Sequence, residues 1–416
     1  MQEKTIAIIG AGIVGVSAAI WLQRDGHKVV LIDKEGPAGG ASYGNAGVVT
    51  HCGIVPINSP GLIKNAPGML IRADSPLFVH WPYLPRMLPW LMRYLGRANA
   101  KDARQVAKAL KPLLHQSVEQ HQALAQGTGA EKWIEPSDYV FVYDSPVDYQ
   151  KDSFAWTIRR EMGFSWDEFD ADEFSNYDPA FGNLGKCAIR LPDHARITDP
   201  GQYVTDLAEH VEHRGGELIK AEAHDIEVEQ GKLRAIKTDQ GVVECEVAVL
   251  AAGVWSKVLA EKQGVKIPME SERGYHIDLI NPSVMPRSAM MLTSGKFVIT
   301  PMSGRIRCAG IVEFGGLDAP ENKAAIGLLK THIQRSCPDL EYDSIKEWMG
   351  HRPAPADSIP FIGRFGNTPD LYAAFGHHHI GLTGGPKTGR LIADLIANRN
   401  LDLDMTPYGV SRYTIQ

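Results

Sequence analysis

The first 33 residues carry the pattern that most limits the fold. A short β-branched run, Lys4–Ile9, leads into Gly10-Ala11-Gly12-Ile13-Val14-Gly15 and then an Ala/Ile/Leu-rich stretch to Arg24. Gly26-His27 makes a turn, and a second apolar run, Lys28–Ile32, stops at Asp33. Strand, glycine loop, helix, strand and acid in this order open a βαβ unit. Gly10, Gly12 and Gly15 permit a tight turn, the approach of a pyrophosphate, and close packing of helix on strand. The helix start, with Ile13 and Val14, turns free N–H groups toward phosphates. Asp33 lies eighteen residues beyond Gly15, with Lys34 beside it, and is placed to accept hydrogen bonds from a ribose. The expectation is a bound dinucleotide. A Gly-rich turn without a ligand is the plain alternative, and the acid at the strand end argues against it.

The chain has 416 residues, 44% hydrophobic and 22% charged, the balance of a soluble globular protein. At ~150 residues per domain, two or three domains are expected. Lys and Arg number 43 against 49 Asp and Glu, a net charge of −6, so nucleic acid is not expected as a partner. Five scattered cysteines without a CxxC point away from a disulfide framework or zinc cluster and toward a reducing, cytoplasmic setting. No secretory leader is expected. The longest span free of Asp, Glu, Lys and Arg, Pro37–Ile63, is rich in Gly, Asn, Pro and Ser. A bilayer helix needs ~20 mostly apolar residues, so none is expected.

Further along, Pro37–Gly47 reads as loop. Helices are expected over Leu88–Leu95, Lys101–Ala125, Ser153–Met162, Pro200–Arg214, Lys323–Ser336 and from about Gly385 to Ala397. Strands are expected at Tyr139–Tyr143, Leu218–Ala221, Ile226–Glu229, Leu233–Thr238, Val242–Leu250 and Leu371–Phe375. The runs between Arg273 and Ile311 suggest a mainly antiparallel sheet. Trp, Tyr and Arg on the apolar Leu77–Leu95 stretch suit a membrane interface, but a helix covering the second domain explains them as well.

FAD and NAD share the glycine fingerprint. Gly39-Gly40-Ala41-Ser42 offers small residues and a hydroxyl for a second phosphate contact, and Val247–Gly253 (VAVLAAG) ends in small residues that could pass close to a cofactor. Both favour FAD, and no second GxGxxG speaks for an additional NAD(P)H.

With these motifs in place, the chain resembles the D-amino-acid oxidase superfamily of flavoproteins. The matching segments are Gly10–Gly15, Asp33-Lys34, Gly39–Gly47 (GGASYGNAG), Val249–Ser256 (VLAAGVWS), Gly350–Pro353 (GHRP) and Gly376–Thr383 (GHHHIGLT). The SYGNAG loop, the SPLFVHWPYLPRMLPWLMRYL stretch and HRPAPADSIPFIGR are most similar to the bacterial D-amino-acid dehydrogenase type. The resemblance implies an α/β Rossmann-like FAD domain with a discontinuous α+β substrate domain carrying an antiparallel sheet. The expected segments are 1–65, 185–265 and 345–416 for the former and 66–184 and 266–344 for the latter. It also implies FAD-dependent oxidative deamination by hydride transfer from Cα to flavin N5. Relatives with a covalent flavin carry a His near the positions held here by Ser42, Tyr43 and Gly44, so the flavin is expected to be noncovalent.

The substrate carboxylate needs a guanidinium that matches its geometry, and Arg352 in GHRP fills the family position. Arg273 is a second candidate, with a helper or structural role. His51 and Tyr275 are candidate substrate contacts, each with structural packing as the alternative; strand alternation would aim only one of Tyr275 and His276 inward. Ser42, Asn45, Ala46, Gly47, Ala252, Gly253, His378, Gly381, Leu382 and Thr383 are expected around the flavin. His377, His378 and His379 are adjacent in a loop and are not expected to converge on a metal ion. The electron acceptor, quinone or oxygen, is left open. The alternatives are oxidation of a secondary or cyclic amino acid of sarcosine or D-hydroxyproline type, a non-catalytic FAD-binding subunit, and an NAD-dependent opine-type dehydrogenase.

Overall fold

The N-terminal βαβ unit sits at the heart of a six-stranded sheet. Its order is Phe361–Phe365, Thr368–Phe375, Val247–Leu250, Thr5–Ile9, Lys28–Asp33 and Glu217–Lys220. All neighbours run parallel except Phe361–Phe365. The computed structural model describes residues 2–62, 75–366 and 368–413. The expected boundary at 65/66 therefore lies outside the described residues. Helix Ile13–Arg24 is buried on most sides between this sheet and helix Gly381–Ile396. The parallel strands end together at Ile9, Ile32 and Leu250, the edge where open α/β sheets bind ligands.

A ten-stranded sheet forms the other half, mostly antiparallel. Its core path runs Ser344–Pro355, Met269–Ile280, Arg305–Phe314, Phe297–Met302, Ala289–Leu292, Ile134–Tyr143, Cys187–Ile197, Val48–Val49. Helix Lys323–Ser336 packs Ile326, Leu329 and Ile333 against Tyr275, Ile277 and Leu279 on its back. Three strands lying wholly or almost wholly in segments expected in the nucleotide-binding part, Val48–Val49, Cys187–Ile197 and Ser344–Pro355, pair within the large sheet.

Several elements differ from expectation for local reasons. Val242–Leu250 is two strands, Gly241–Glu244 in a three-stranded antiparallel sheet and Val247–Leu250 in the parallel one. Lys101–Ala125 is two helices, Ala100–Leu114 and Ser117–Ala125, because Gln116 adopts φ 54° between them. The helix expected at Leu88–Leu95 spans Leu84–Gly96. It buries Met87, Trp90 and Tyr94 against Ala354 and Ala356 and leaves Leu88 and Met92 exposed. The last helix starts at Gly381, before the expected Gly385. Pro386 leaves the Leu382 carbonyl without its helical donor, and buried His121 donates from Nε2 to that oxygen at 2.9 Å.

Candidate active site

A cavity of about 780 Å³ lies between the carboxyl edge of the parallel sheet and the large sheet. At one end stands the glycine loop. Gly10, at φ +112°, donates to Ile32 O at 2.8 Å, and a side chain there would meet Ala251 O at 2.4 Å. Gly12, Ile13 and Val14 line the cavity; Gly15 does not, and serves packing, since a Cβ there would sit 1.9 Å from Gly10 O. Asp33 and Lys34 also line it. Asp33 Oδ2 accepts from Ala11 N–H at 2.8 Å, and Oδ1 from Glu35 and Gly36 N–H at 2.9 and 3.1 Å. A carboxylate has about four acceptor positions, so one remains for a ribose hydroxyl. Ser42 Oγ accepts from Ile13 N–H at 3.0 Å, fastening the GGAS loop to the helix start. Ala252 and Gly253 close this end, and Lys34 Nζ lies 4.5 Å over the Trp255 ring.

The SYGNAG loop forms the next part of the wall through Asn45 and Ala46; Gly47, at φ +74°, lies behind it. Sequence reasoning missed what holds the loop. Buried Arg307 donates to Tyr43 O and Asn45 O at 2.8 and 2.9 Å, while its other nitrogens grip Asp278 at 2.8 and 2.9 Å. His276 bonds Gly44 O through Nδ1 at 3.1 Å and stacks on Trp348 at 5.0 Å. Burial, then the Arg307 charge, pushes its imidazole down to about 3, so it is neutral and donates Nδ1–H.

The substrate-domain end is built across two paired strands. Arg352 and Glu272 are register partners, and Arg352 Nη1 donates to Glu272 Oε1 at 2.9 Å. Glu272 Oε2 bonds His378 Nε2 at 2.7 Å. Burial alone would raise the Glu272 carboxyl, but His378 and Arg352 hold it well below the usual carboxylate range. Gly274 gives the guanidinium its place: a Cβ there would lie 2.4 Å from Arg352 Cζ. Tyr275 reaches the cavity wall, but strand alternation gives Glu272, Gly274 and His276 the face toward the flavin loop and Arg352. The Tyr275 hydroxyl donates to Glu313 and accepts from Asn322 N–H at 3.0 Å, so both its hydrogen-bonding roles are taken. Of the two neighbours, Tyr275 is on the cavity wall and His276 is not; His276 holds the flavin loop instead. Arg273 shares that opposite face, donating to Ala319 and Pro320 carbonyls. His51 is not on the cavity wall; it stacks on His194 at 4.2 Å and Phe164 at 5.4 Å.

The three histidines diverge. His377 Nε2 donates to Thr388 Oγ1 at 2.9 Å, since that hydroxyl spends its proton on Gly384 O. His378 reaches Glu272, and His379 faces the cavity. Beyond them, Gly381, Leu382 and Thr383 line the cavity at a helix N-terminus with no acidic residue in its first turn. The first helix, capped by Gly12, likewise has none. Two positive helix ends free of competing carboxylates and a glycine cradle that a Cβ would fill fit FAD.

Glycine oxidase from Geobacillus kaustophilus shares this fold with TM-score 0.79 at 19% identity, over 99% of this chain and 100% of that one. A D-amino-acid oxidase of Bradyrhizobium diazoefficiens is 37% identical over 99% of both sequences. A D-amino acid dehydrogenase of Helicobacter pylori is 26% identical over 95% of each. The model of the DAO family, FAD dependent oxidoreductase, matches residues 5–395, and the chain belongs to that family.

Proposed function

We propose that the protein oxidises a D-amino acid to its imino acid, which water then releases as the 2-oxo acid. The observation that carries this reading is the Arg352 guanidinium at the cavity wall, with one nitrogen tied to Glu272 and the others left for a ligand carboxylate. Met291, Val298, Ile311 and Val312 on the same cavity offer apolar surface for a substrate side chain. The D-amino-acid oxidase and dehydrogenase relatives support the substrate class. Bound FAD supplies the two-electron acceptor for the hydride that leaves Cα.

Within this reading, the Gly10–Gly15 loop with Ile13 and Val14 binds pyrophosphate, and Asp33 and Lys34 take the adenosine ribose. Ser42, Asn45, Ala46 and Gly47 shape the flavin loop, with Ala252 and Gly253 opposite. Gly381, Leu382 and Thr383 present N–H groups and a positive helix end to the ring edge, which favours the charge of the reduced flavin.

The electron acceptor is oxygen or a quinone. Among the described residues no helix is long and apolar enough to cross a membrane. Exposed Trp81, Leu88 and Met92 beside exposed Arg86 and Arg93 support peripheral contact with an anionic bilayer, tested by flotation with vesicles. The five cysteines are free, which supports a cytoplasmic location.

The test is anaerobic bleaching of the flavin by D- and L-amino acids, proline derivatives and sarcosine. Bleaching by D-enantiomers that Arg352→Ala abolishes is the expected outcome. Bleaching only by cyclic or N-methyl substrates would move the assignment to secondary amines, and a flavin that nothing reduces would leave a non-catalytic subunit.

A further inference from the structure

His378 occupies a conformation that suits glycine. Its φ is 50°, a region that non-glycine residues rarely adopt. The side chain retained there is buried on the cavity lining, bonds Glu272 through Nε2 at 2.7 Å, and leaves Nδ1 with no hydrogen-bond partner among the described residues. The backbone N–H of His378 is held separately by Pro353 O at 3.0 Å, so the loop does not need this imidazole to be anchored. A carboxylate on one ring nitrogen fixes the tautomer with Nε2–H toward Glu272 and the lone pair on Nδ1, the arrangement of an oriented base.

We propose that His378 accepts the proton of the substrate α-ammonium group, with Glu272 as the positioning residue that orients its imidazole. This rests on the reading of the cavity as an amino-acid site. An amino acid in solution near neutral pH is an ammonium, and its nitrogen has no electron pair to form the C=N bond until a proton leaves. The N–H bond breaks, the pair stays on nitrogen, and the proton passes to Nδ1. That pair would become the C=N π bond as the Cα hydrogen leaves with its two electrons, for which bound FAD would be the acceptor. Glu272 serves both ends of the substrate, since its Oε1 holds Arg352 and its Oε2 holds His378. The carboxylate anchor and the receiver for a proton one carbon away are thereby referenced to one buried side chain. The charged and titratable groups facing His378 are Glu272 and Arg352 from the paired strands and His379 from its own loop.

The experiment compares the wild-type holoenzyme with His378→Asn and Glu272→Gln. Asparagine tolerates the left-handed backbone and cannot take up a proton, so the loop keeps its shape. Three quantities are read: flavin content, the dissociation constant for propionate from the perturbed flavin spectrum, and the rate of anaerobic bleaching by an oxidisable D-amino acid against pH. In the wild type, bleaching is expected to fall off in acid. In H378N the flavin content and propionate affinity stay near wild type. Bleaching near neutrality drops by roughly 10²–10⁴-fold, and its acid limb moves up toward the substrate ammonium's own pKa. In E272Q the limb moves down, because the imidazolium loses its counter-charge. An H378N profile that superimposes on the wild type overturns the proposal alone. A wild type that binds propionate but is bleached by no amino acid overturns the underlying reading and the proposal with it.

Discussion

Replacing Gly274 by alanine tests the proposed role of Arg352 as carboxylate anchor apart from the rest of the fold. A Cβ at position 274 would lie 2.4 Å from Arg352 Cζ and Nη2 and 2.7 Å from Nε, closer than side chains tolerate. The colliding group is the free end of a flexible side chain, so the strand can stay in place while the guanidinium moves. Gly274 lacks the positive φ that would exclude alanine, and Gly→Ala at such a site contributes ~0.4–1 kcal/mol of stability through the unfolded chain. The displaced guanidinium gives up its 2.9 Å bond to Glu272 and its alignment with a ligand carboxylate. Hydrogen bonds to charged groups are worth about 1.5–3 kcal/mol, and about 1.4 kcal/mol is a factor of ten. We therefore expect G274A to raise KM for the amino acid about 10–100-fold, with flavin content unchanged and Tm somewhat lower, because buried Glu272 loses its arginine. Steady-state kinetics beside thermal melts give both numbers. A KM within about twofold of wild type in a well-folded G274A would refute the placement of Arg352 as the carboxylate anchor.

Two further outcomes follow from buried groups. Arg307→Met removes the donors on Tyr43 O and Asn45 O and leaves Asp278 with Arg305 as its remaining arginine; breaking such a pair costs about 3–5 kcal/mol, so Tm and the ratio of visible to ultraviolet absorbance should both fall, and full flavin occupancy would contradict this role of the loop. His121 is buried, with burial pushing it down to about 4 against ~6.5 in the unfolded chain. Its depressed pKa keeps it neutral in the fold, so its contribution is present above about pH 6.5 and lost as pH falls toward 4, by roughly 3 kcal/mol at the lower end. Melts across this range should show Tm falling with pH, and His121→Gln, which keeps a donor for Leu382 O, should flatten the decline; an unchanged slope would exclude His121 as a source.

The nucleotide end was legible because its signals are local. Gly10, Gly12, Gly15 and Asp33 lie within one βαβ unit, and the same short stretch forms the turn, the helix start and the acid that faces the cavity. Arg352 was marked only by the resemblance of GHRP to the family motif, and the structure puts it on the cavity wall. The large sheet was foreseen over Arg273–Ile311, but its strands Cys187–Ile197 and Ser344–Pro355 were missed. Their polar residues, among them His194 and Arg352, interrupt the apolar runs that mark a strand.

What stayed hidden is parity and partnership. Met269–Ile280 is buried along eleven of its twelve residues, so the alternation of Tyr275, Ile277 and Leu279 with His276 and Asp278 does not show which face meets the cavity. Glu272 meets Arg352 across 80 residues of sequence and His378 across 106. Such contacts depend on strand register and on where a loop returns, which distant packing decides. The sequence by itself determined a nucleotide-binding βαβ unit, because a turn, a helix start and a strand end are set by neighbouring residues. Only the tertiary structure decided that a buried glutamate joins the arginine and a strained histidine, because the desolvated charges hold one another there only once both sheets have closed around them.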